Sequence, residues 1–512
     1  MTTTYDPLHA AAHPEPLEDV TLYSAPLIIP VTGPVIVDGA VAVADGRVMH
    51  VGSRRWLRRA LDQDLAAGAT VRERHWRGLI MPGLINAHTH LQYTAMAAVG
   101  RGSYADFHGW ERGFDEVYER LQQSDVSPWR HAAEEGAAML VESGTTAAAD
   151  IVTDPEAAGA LASQGLHGIA YWEVMNWGNA QWRAEGIGYL VSQLGRMSRQ
   201  GLPRIGISPH APYTLETEPF VDLPDIARQL DMRLHIHLAE TPMEAGGGES
   251  TLTTYSAAGW RDHEWDSYSQ LKQAGKQASA IQFLDQLGSL GPDVHIAHGV
   301  WADAEDRRIL RQRGVGVALC PRSNRITVTG RDAPIREYLE EGNLLAVGTD
   351  SLSSSPSLDV LDDLAMLHDL ARGQGYDRED LTHRLIRMVT LGGAEALGMH
   401  VGAGRIGQIN AGATADLAFL DVPVDVATPH GIEETLERLV CHGAGTNRAT
   451  VLSGRVVHDA GALGEGEVLR GHGQARDIDH DAIAAHRRHA AAMAIQQPEP
   501  PQSPTVTERS NA

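Results

Sequence analysis

An eightfold alternation between residues 79 and 395 constrains this chain more than any other feature. A short apolar run is followed each time by a longer amphipathic segment. This pattern is typical of βα units, and eight of them close into a barrel covered by helices. The candidate strands are 79–90, 144–152, 168–175, 204–212, 233–240, 294–300, 315–320 and 344–351. We therefore predict an α/β fold whose main domain, residues 79–399, is a (β/α)8 TIM barrel.

The two segments beside the barrel have a different pattern. In residues 19–78 and 400–462, apolar and polar side chains alternate in short runs that break at glycines. Such runs are typical of half-buried antiparallel strands. We predict that both flanks pack into one small composite β-sandwich. Residues 1–18 and 463–512 lack periodicity, and we expect disorder there, with a partly helical stretch in the C-terminal extension.

Composition argues against several classes of partner. The 512 residues include 66 acidic and 42 basic side chains, and the formal net charge of -24 repels nucleic-acid phosphates and anionic lipid. No signal-peptide pattern begins the chain, and no apolar run has the roughly 18 residues of a spanning helix. Two cysteines are too few for a disulfide framework. We expect a cytoplasmic protein with a small-molecule substrate and with neither a nucleic-acid nor a membrane partner.

Ionisable residues stand at the ends of the predicted strands, on the face where barrel enzymes carry their chemistry. His88 and His90 alternate at the end of the first strand, so both side chains point to one face. His237 ends the fifth strand, His298 the sixth and Asp350 the eighth. A lone His-x-His pair is more often a surface or core feature. Four histidines and a carboxylate that converge on one barrel rim predict a metal centre instead.

The ligand types indicate which metal the rim binds. Imidazoles with one carboxylate suit a borderline divalent ion that keeps an open position for water, which favours zinc and leaves iron(II) open. Such an ion lowers the pKa of bound water towards 7 and supplies hydroxide at neutral pH. Glu240 follows His237 by three residues and is our candidate proton shuttle. The alternative interpretation is that Glu240 caps the turn after the strand.

The strand ends also carry a family resemblance. The chain resembles the amidohydrolase superfamily in PGLINAHTH, SPHAPYT, HLAE, the HG at 298–299, LCPRSN and GTDS. Within it, the chain is similar over residues 20–460 to the branch of cytosine, methylthioadenosine/adenosylhomocysteine and aminofutalosine deaminases and triazine chlorohydrolases. Its segments DGRVMHVG and AGATADLAFLD are similar to the composite β-sandwich of that branch. The resemblance implies a metal-dependent hydrolase built on a TIM barrel.

The resemblance also implies a role for each strand-end residue. Glu240 shuttles protons and His298 polarises the water or the substrate, and both are catalytic together with Asp350. The metal ligands it implies are His88, His90, His237 and Asp350. Binuclear relatives bridge two metals with a carboxylated lysine at a strand end, whereas Lys272 and Lys276 both fall between the fifth and sixth strands. A single metal, with the deaminase type of mechanism, is therefore favoured.

Substrate-binding residues are expected on the same rim. By the resemblance, His210 hydrogen-bonds the substrate, and Arg322, Ser323 and Asn324 shape the pocket near the seventh strand. The alternatives are that SPHAPYT holds a turn and that RSN caps a helix. Glu173, near the end of the third strand, is a candidate acceptor for a base or ribose, or else forms a salt bridge at the rim.

A long loop after the first strand is expected to cover the pocket. Phe107 and Trp110 lie in this loop, before the next helix is predicted to begin, and their rings either stack on a purine or anchor the loop. Gln92 and Tyr93 stand where acidic or small residues are frequent in relatives, which leaves the particular substrate open. The insertion 243–270 is a further segment that can remodel the pocket.

We predict a hydrolytic deaminase that releases ammonia from an amino-substituted N-heterocycle, by attack of metal-bound hydroxide. The expected substrate is an adenine nucleoside derivative of the aminofutalosine, methylthioadenosine or adenosylhomocysteine type. A triazine-type chlorohydrolase or an amine-releasing hydrolase is the alternative, because the same nucleophile attacks any electron-poor ring carbon. A non-catalytic metal- or ligand-binding barrel is the remote alternative, since it has no use for a proton shuttle. Relatives are often dimers, so a homodimer is an open possibility.

Overall fold

The computed structural model describes residues 19–66, 68–198, 204–247 and 265–469. Their strands form two sheets. In chain order the strands are β1 (Asp19–Ile28), β2 (Ile36–Ala44), β3 (Arg47–Ser53), β4 (Thr70–His75), β5 (Leu79–Pro82), β6 (Leu84–Thr89), β7 (Thr145–Val152), β8 (His167–Val174), β9 (Ile205–Pro209), β10 (Leu234–Leu238), β11 (Val294–His298), β12 (Gly316–Leu319), β13 (Leu344–Val347), β14 (Leu417–Leu420), β15 (Asn447–Leu452), β16 (Arg455–Asp459) and β17 (Glu467–Leu469).

Helices fill most of the connections. The α-helices of the described ranges are α1 (Arg54–Ala60), α2 (Asp62–Ala66), α3 (Phe107–Gln122), α4 (Trp129–Glu142), α5 (Ala160–Ser163), α6 (Asn179–Gln181), α7 (Ile187–Ser198), α8 (Thr217–Gln229), α9 (Tyr268–Gln273), α10 (Ala280–Gln286), α11 (Ala304–Arg313), α12 (Pro321–Ile326), α13 (Ile335–Glu341), α14 (Val360–Gly373), α15 (Leu381–Arg387), α16 (Gly393–Ala396) and α17 (Pro429–His442). Short 3-10 segments lie at Leu91–Met96, Val99–Arg101, Ala157–Gly159 and Pro242–Glu244, and π segments at Trp182–Gly186 and Met388–Gly392. Among these helices, none combines the length and apolar character needed to cross a bilayer.

Strands β6 to β13 form the barrel. They pair in sequence order and every neighbouring pair is parallel. The ring closes where β13 meets β6, because the backbone amides of Thr349 and Asp350 donate to the His88 carbonyl at 3.1 and 3.0 Å. An isolated parallel bridge joins Thr89 to Asp350 at the same place. The predicted (β/α)8 barrel is confirmed, and each of its eight strands lies within a predicted segment or overlaps it.

One predicted strand is divided in the structure. Residues 79–90 were expected to form a single barrel strand, but β5 pairs with β1 and β14 of the flanking sheet and only β6 belongs to the barrel. Gly83 separates the two, and a Cβ at this position would overlap the Thr146 hydroxyl. The prediction of a continuous strand was wrong, since the chain leaves one sheet and enters the other at this glycine.

The flanking sheet draws its strands from both sides of the barrel. Its order is β16-β15-β14-β5-β1-β2-β3, with β4 paired to β1 and β17 paired to β4. Side chains alternate between two apolar clusters, with Tyr23 and Val41 in one and Leu22 and Ala42 in the other. Both faces of β1 and β2 are therefore buried, and the cluster of Tyr23 and Val41 also contains residues of β14 and β15, which stabilises the joined flanks.

The C-terminal part of this sheet reaches further than predicted. Glu467–Leu469 form β17, and Leu463 is buried, although an unstructured or helical extension was expected from residue 463. The predictions for residues 1–18 and 470–512 lie outside the described residues, as does most of the insertion, residues 248–264.

A buried carboxylate joins α1 to the flanking sheet. Glu73 on β4 accepts hydrogen bonds from the Ser24 hydroxyl at 2.7 Å, from Arg54 Nε at 2.5 Å and from Arg58 Nε at 2.8 Å. Burial raises the pKa of Glu73, but these three donors outweigh burial and hold its pKa below the usual value. The carboxylate therefore stabilises the folded state at neutral pH.

Replacing Glu73 by Gln is expected to lower the free energy of unfolding by about 1–3 kcal/mol at pH 7, because two guanidinium groups lose their partner. The pKa of Glu73 is lower in the folded than in the unfolded state. Its contribution to the free energy of unfolding is therefore present above the unfolded-state pKa and disappears as the pH falls through the folded-state pKa. Denaturant unfolding at pH 7 and at acidic pH measures both effects. The exposed Glu116, changed to Gln, is the control. Equal stability of E73Q and wild type at pH 7 contradicts this account.

Candidate metal centre and active site

Four predicted metal ligands meet at the C-terminal rim of the barrel. His90 Nε2 lies 3.2 Å from His237 Nε2, and Asp350 Oδ1 lies 3.5 Å from His90 Nε2 and 3.6 Å from His88 Nε2. The ligand atoms form two overlapping groups within 4.8 Å, one of which includes His298. All five side chains are buried. Separations of this size are those of donors around one ion, whose bonds are about 2.0–2.2 Å long.

Hydrogen bonds at the ring nitrogen that faces away from the cluster determine which nitrogen keeps a lone pair for a metal. A carbonyl oxygen only accepts, so His237 Nδ1 donates to the His210 carbonyl at 3.3 Å and its Nε2 carries the lone pair. His298 Nδ1 donates in the same way to Asn324 Oδ1 at 2.9 Å. Nε2 of His88 and of His298 are buried with no hydrogen-bond partner in the described residues. Buried lone pairs that converge on a carboxylate oxygen fit a divalent metal.

Asp350 is oriented by hydroxyl groups. Ser323 Oγ and Ser354 Oγ both donate to Asp350 Oδ2, at 2.7 and 2.8 Å, which leaves Oδ1 towards the histidines. The backbone of Asp350 has φ of 59°, and that of His298 has φ of 76°, both in the left-handed region. Such conformations cost free energy in residues other than glycine and concentrate at functional sites. The ends of β11 and β13 are thus held in the geometry that aims these two side chains inward.

Glu240 lies next to the metal cluster. Its Oε1 is 3.7 Å from His298 Nε2, and both side chains are buried. Burial first, and then the negative charge of Asp350, raise the pKa of Glu240 well above its usual value. A carboxyl group with a raised pKa holds a proton more readily once it has taken one, as a proton shuttle requires.

The alternative interpretation was that Glu240 caps the turn after β10. In the structure Glu244 caps this turn. The Glu244 carboxylate accepts hydrogen bonds from the backbone amides of Ala239, Glu240 and Thr241, at 2.7, 2.9 and 2.9 Å. Thr241 and Glu244 form a capping box at the short 3-10 segment after β10. The Glu240 side chain is therefore free of the turn and faces the cluster.

Glu173 and His210 extend the site on one side. Glu173 Oε1 lies 3.8 Å from His237 Nδ1 and 3.9 Å from His210 Nε2, and it is buried without a hydrogen-bond partner among the described residues. Burial and then Asp350 raise the pKa of Glu173 to about 8. Burial and the neighbouring His90 and His298 lower the pKa of His210 to about 3. At neutral pH this corner presents a neutral carboxyl group and a neutral imidazole.

Within residues 322–324, Ser323 and Asn324 contact side chains of the metal cluster, and Arg322 contacts the segment after β13. Ser323 and Asn324 hold Asp350 and His298, as described above. Arg322 binds Asp363 at 2.7 Å and fixes the segment that follows β13. The structure thus brings Ser323 and Asn324 to the site as supports of metal-site side chains, and whether they also contact substrate stays a prediction.

The segment that carries the aromatic residues differs from its prediction. Helix α3 begins at Phe107, because the Asp106 carboxylate accepts from the Gly109 amide at 2.7 Å and caps the helix. The prediction that Phe107 and Trp110 lie in a loop was wrong. Trp110 Nε1 donates to the Ser353 carbonyl at 3.0 Å, and its ring centroid is 5.6 Å from that of Phe107. Trp110 therefore anchors α3 to the segment after β13.

Sequence reasoning missed two residues that contact predicted metal ligands. The Tyr93 ring stacks on His90 at 5.3 Å with an interplanar angle of 16°, and its hydroxyl is 3.2 Å from Thr153 Oγ1. His235 Nε2 lies 3.0 Å from His88 Nδ1. The alternation His-Ile-His at 235–237 was a usable signal, since it places both rings on one face of β10. Nothing in the local sequence pointed to the stacking of Tyr93.

The family model described as "Amidohydrolase family" matches residues 79–457. The chain belongs to the amidohydrolase family. A 5-methylthioadenosine/S-adenosylhomocysteine deaminase from Moorella thermoacetica is 29% identical over 467 residues, which are 90% of this chain and 96% of that protein. This similarity extends over both the barrel and the flanking sheet.

Solved structures share the fold. An adenosine deaminase from Xanthomonas campestris with bound zinc has a TM-score of 0.68 and 22% identity, covering 94% of this chain and 100% of that one. An atrazine chlorohydrolase from Arthrobacter aurescens complexed with zinc has a TM-score of 0.68 and 21% identity, covering 92% and 99%. At these identities the likeness establishes the fold alone. For this amidohydrolase, family membership and the histidine and aspartate cluster together support a divalent metal at the rim.

Removal of one ligand is expected to empty the amidohydrolase metal site. His90→Ala should reduce bound zinc, measured by mass spectrometry after dialysis, from about one ion per chain to less than about a tenth, because His90 supplies one of the converging donors. His108→Ala is the matched control, since that side chain is 79% exposed on α3. Full zinc occupancy in the His90 variant would remove this residue from the site.

Proposed function

We propose that the protein is a metal-dependent hydrolytic deaminase that releases ammonia from an adenine nucleoside derivative. The observation that carries the proposal is the buried Glu240 carboxyl, 3.7 Å from His298 and beside the converging lone pairs of the metal cluster. Relatives named as 5-methylthioadenosine/S-adenosylhomocysteine and 5'-deoxyadenosine deaminases, at 29% identity, support the substrate class. We assign catalysis to the barrel, residues 79–399.

The proposed metal ligands are Nε2 of His88, His90 and His237 with Oδ1 of Asp350. Their donor types favour zinc, with iron(II) as the second candidate. When bound, such an ion lowers the pKa of a water towards 7 and so supplies a nucleophile at neutral pH. Ser323 and Ser354 keep Asp350 Oδ2 occupied, so that Oδ1 stays available to the ion.

Proton transfer falls to Glu240 in this proposal. Its carboxylate takes a proton from the attacking water, delivers it to the ring nitrogen beside the amino-bearing carbon, and later helps to protonate the departing ammonia. His298 is held by Asn324 so that its unprotonated Nε2 faces Glu240, where it accepts a hydrogen bond from water. Asp350 completes the catalytic group as an acceptor next to the same water.

The neutral corner of Glu173 and His210 is proposed to bind the heterocycle. A protonated carboxyl both donates and accepts, and the neutral His210 imidazole accepts at Nε2, because its Nδ1 donates to the Thr214 hydroxyl at 2.9 Å. This pair therefore suits the alternating donors and acceptors at the edge of an aminopurine. Phe107 and Trp110, at the first turns of α3, are proposed to cover the substrate's base.

The cellular location of the protein and its partners remain predictions. Cys320 and Cys441 are unpaired in the described residues, which agrees with a reducing compartment, and we infer a cytoplasmic enzyme with a small-molecule substrate. The net charge of -24 argues against nucleic-acid binding. The homodimer remains a prediction from the family resemblance.

An ammonia-release assay tests the proposed function. The zinc-loaded and iron-loaded proteins are given adenosine, methylthioadenosine, adenosylhomocysteine, aminofutalosine, guanine, cytosine, aminotriazines and a chlorotriazine. Both ammonia and chloride are measured. Release of ammonia from at least one adenine nucleoside is expected. Release of chloride from a chlorotriazine, with no ammonia from any nucleoside, would contradict the proposal and favour a chlorohydrolase.

Replacement of Glu240 by Gln separates proton transfer from metal binding. The amide keeps the size of the side chain but carries no transferable carboxyl proton, so kcat is expected to fall by about 10²–10⁴-fold. Zinc content should stay near that of wild type, because Glu240 is not a ligand in this proposal. Glu111→Gln on the exposed part of α3 is the control for the substitution itself. Unchanged turnover in E240Q refutes the assignment.

A further inference from the structure

Beneath the metal centre, three aromatic polar side chains form a layer inside the barrel. His235 on β10, His295 on β11 and Tyr171 on β8 are completely buried. The two imidazole centroids are 4.0 Å apart, and the Tyr171 ring is 5.5 Å from His235 and 5.6 Å from His295. The proposed reaction uses none of these residues. Burial of polar rings in the centre of a barrel costs free energy, so this layer requires an explanation.

The layer is connected to the metal centre at one point. His235 Nε2 lies 3.0 Å from Nδ1 of His88, the ring whose Nε2 faces Asp350. At the other end, His295 Nε2 lies 3.1 Å from the carbonyl of Ala87, the residue before His88. Both ends of the layer therefore contact the same strand, β6, at and next to its metal-facing histidine.

These contacts determine where the protons sit. The Ala87 carbonyl only accepts, so His295 carries its proton on Nε2 and leaves a lone pair on Nδ1. His88 needs its Nε2 lone pair for a metal, so its proton is on Nδ1 and is donated to His235 Nε2. His235 then carries its proton on Nδ1, a buried atom without a partner in the described part of the chain. One proton per ring is enough for both of these hydrogen bonds.

The neutral state of these rings agrees with their surroundings. Burial and the nearby Arg233 lower the pKa of His295 to about 3. No carboxylate of the described residues hydrogen-bonds His235 or His295. Burial away from water disfavours a positive charge on either ring of this layer. The acceptor that His88 meets is therefore a neutral imidazole.

We propose that His235 is a positioning residue of the metal centre, which accepts the Nδ1 proton of His88 and so holds the His88 Nε2 lone pair towards the ion. The proposal rests on the proposed ligation by His88. Ligating histidines commonly donate their second nitrogen to a carboxylate or a backbone carbonyl, which orients the ring. A neutral acceptor does this without adding negative charge. Among the described residues Asp350 is the one carboxylate paired with His88, so the ion keeps more of its positive charge for polarising water.

Zinc affinity of matched variants tests the proposal. His235→Leu replaces the acceptor by an apolar side chain of similar volume. The zinc dissociation constant of this variant, measured by competition with a chelator, is expected to rise about 10–100-fold. His235→Gln retains a carbonyl oxygen that accepts from His88, and it should restore affinity to within a few-fold of wild type. His295→Leu alters the same layer without touching a ligand, and it should change the dissociation constant by less than about threefold.

Two results overturn the inference. One is wild-type zinc affinity in His235→Leu, and the other is an equal loss in His295→Leu, which would show a general disturbance of the layer. Either result leaves the ammonia-release assay unaffected, so the proposed function stands or fails separately. Neutron diffraction of the zinc-loaded wild type checks the proton positions without any variant. Deuterium on His88 Nδ1 and none on His235 Nε2 is expected, and the reverse arrangement contradicts the proposal.

Discussion

The hydrogen bonds that close the barrel are the constraint on which the site depends. The carbonyl of His88 accepts from the amides of Thr349 and Asp350, so the last strand is tied to the first at the residues that carry the ligands. His88 and Asp350 are 262 positions apart in the sequence, so no local interaction could bring them together. Closure of the ring fixes the separation of their side chains before any metal binds.

Burial then determines the chemistry of the converged groups. In a dry rim, ionisation is costly, and burial is the largest cause of the lowered pKa of His90, to about 4, and of the raised pKa of Glu240. Histidines become lone-pair donors and the glutamate becomes a proton carrier. The same burial makes the polar contacts of these groups consequential. Ser354 orients Asp350, Asn324 orients His298 and, in our proposal, His235 orients His88.

Much of the fold and of the candidate site could be predicted from the sequence, because the patterns that indicate them are local. Alternating apolar runs located the eight barrel strands, and polar residues at their ends predicted the metal ligands, whose side chains the barrel topology brings together. The division at Gly83 was missed because it depends on which sheet each half of a continuous apolar run joins. The start of α3 was missed although Asp106 is a favourable cap, since the loop expected to cover the pocket was extended past Asp106 to include Phe107 and Trp110. Contacts made across the barrel, such as Tyr93 on His90, have no signature in either local sequence.

The central claim is that one divalent ion sits between His88, His90, His237 and Asp350. Anomalous diffraction at the zinc edge from crystals of the zinc-loaded protein tests it most directly. The account predicts one strong peak per chain, about 2.0–2.2 Å from the three Nε2 atoms and Asp350 Oδ1. A peak between Glu173 and His210 with none at the four ligands, or no peak at the rim at all, would contradict it.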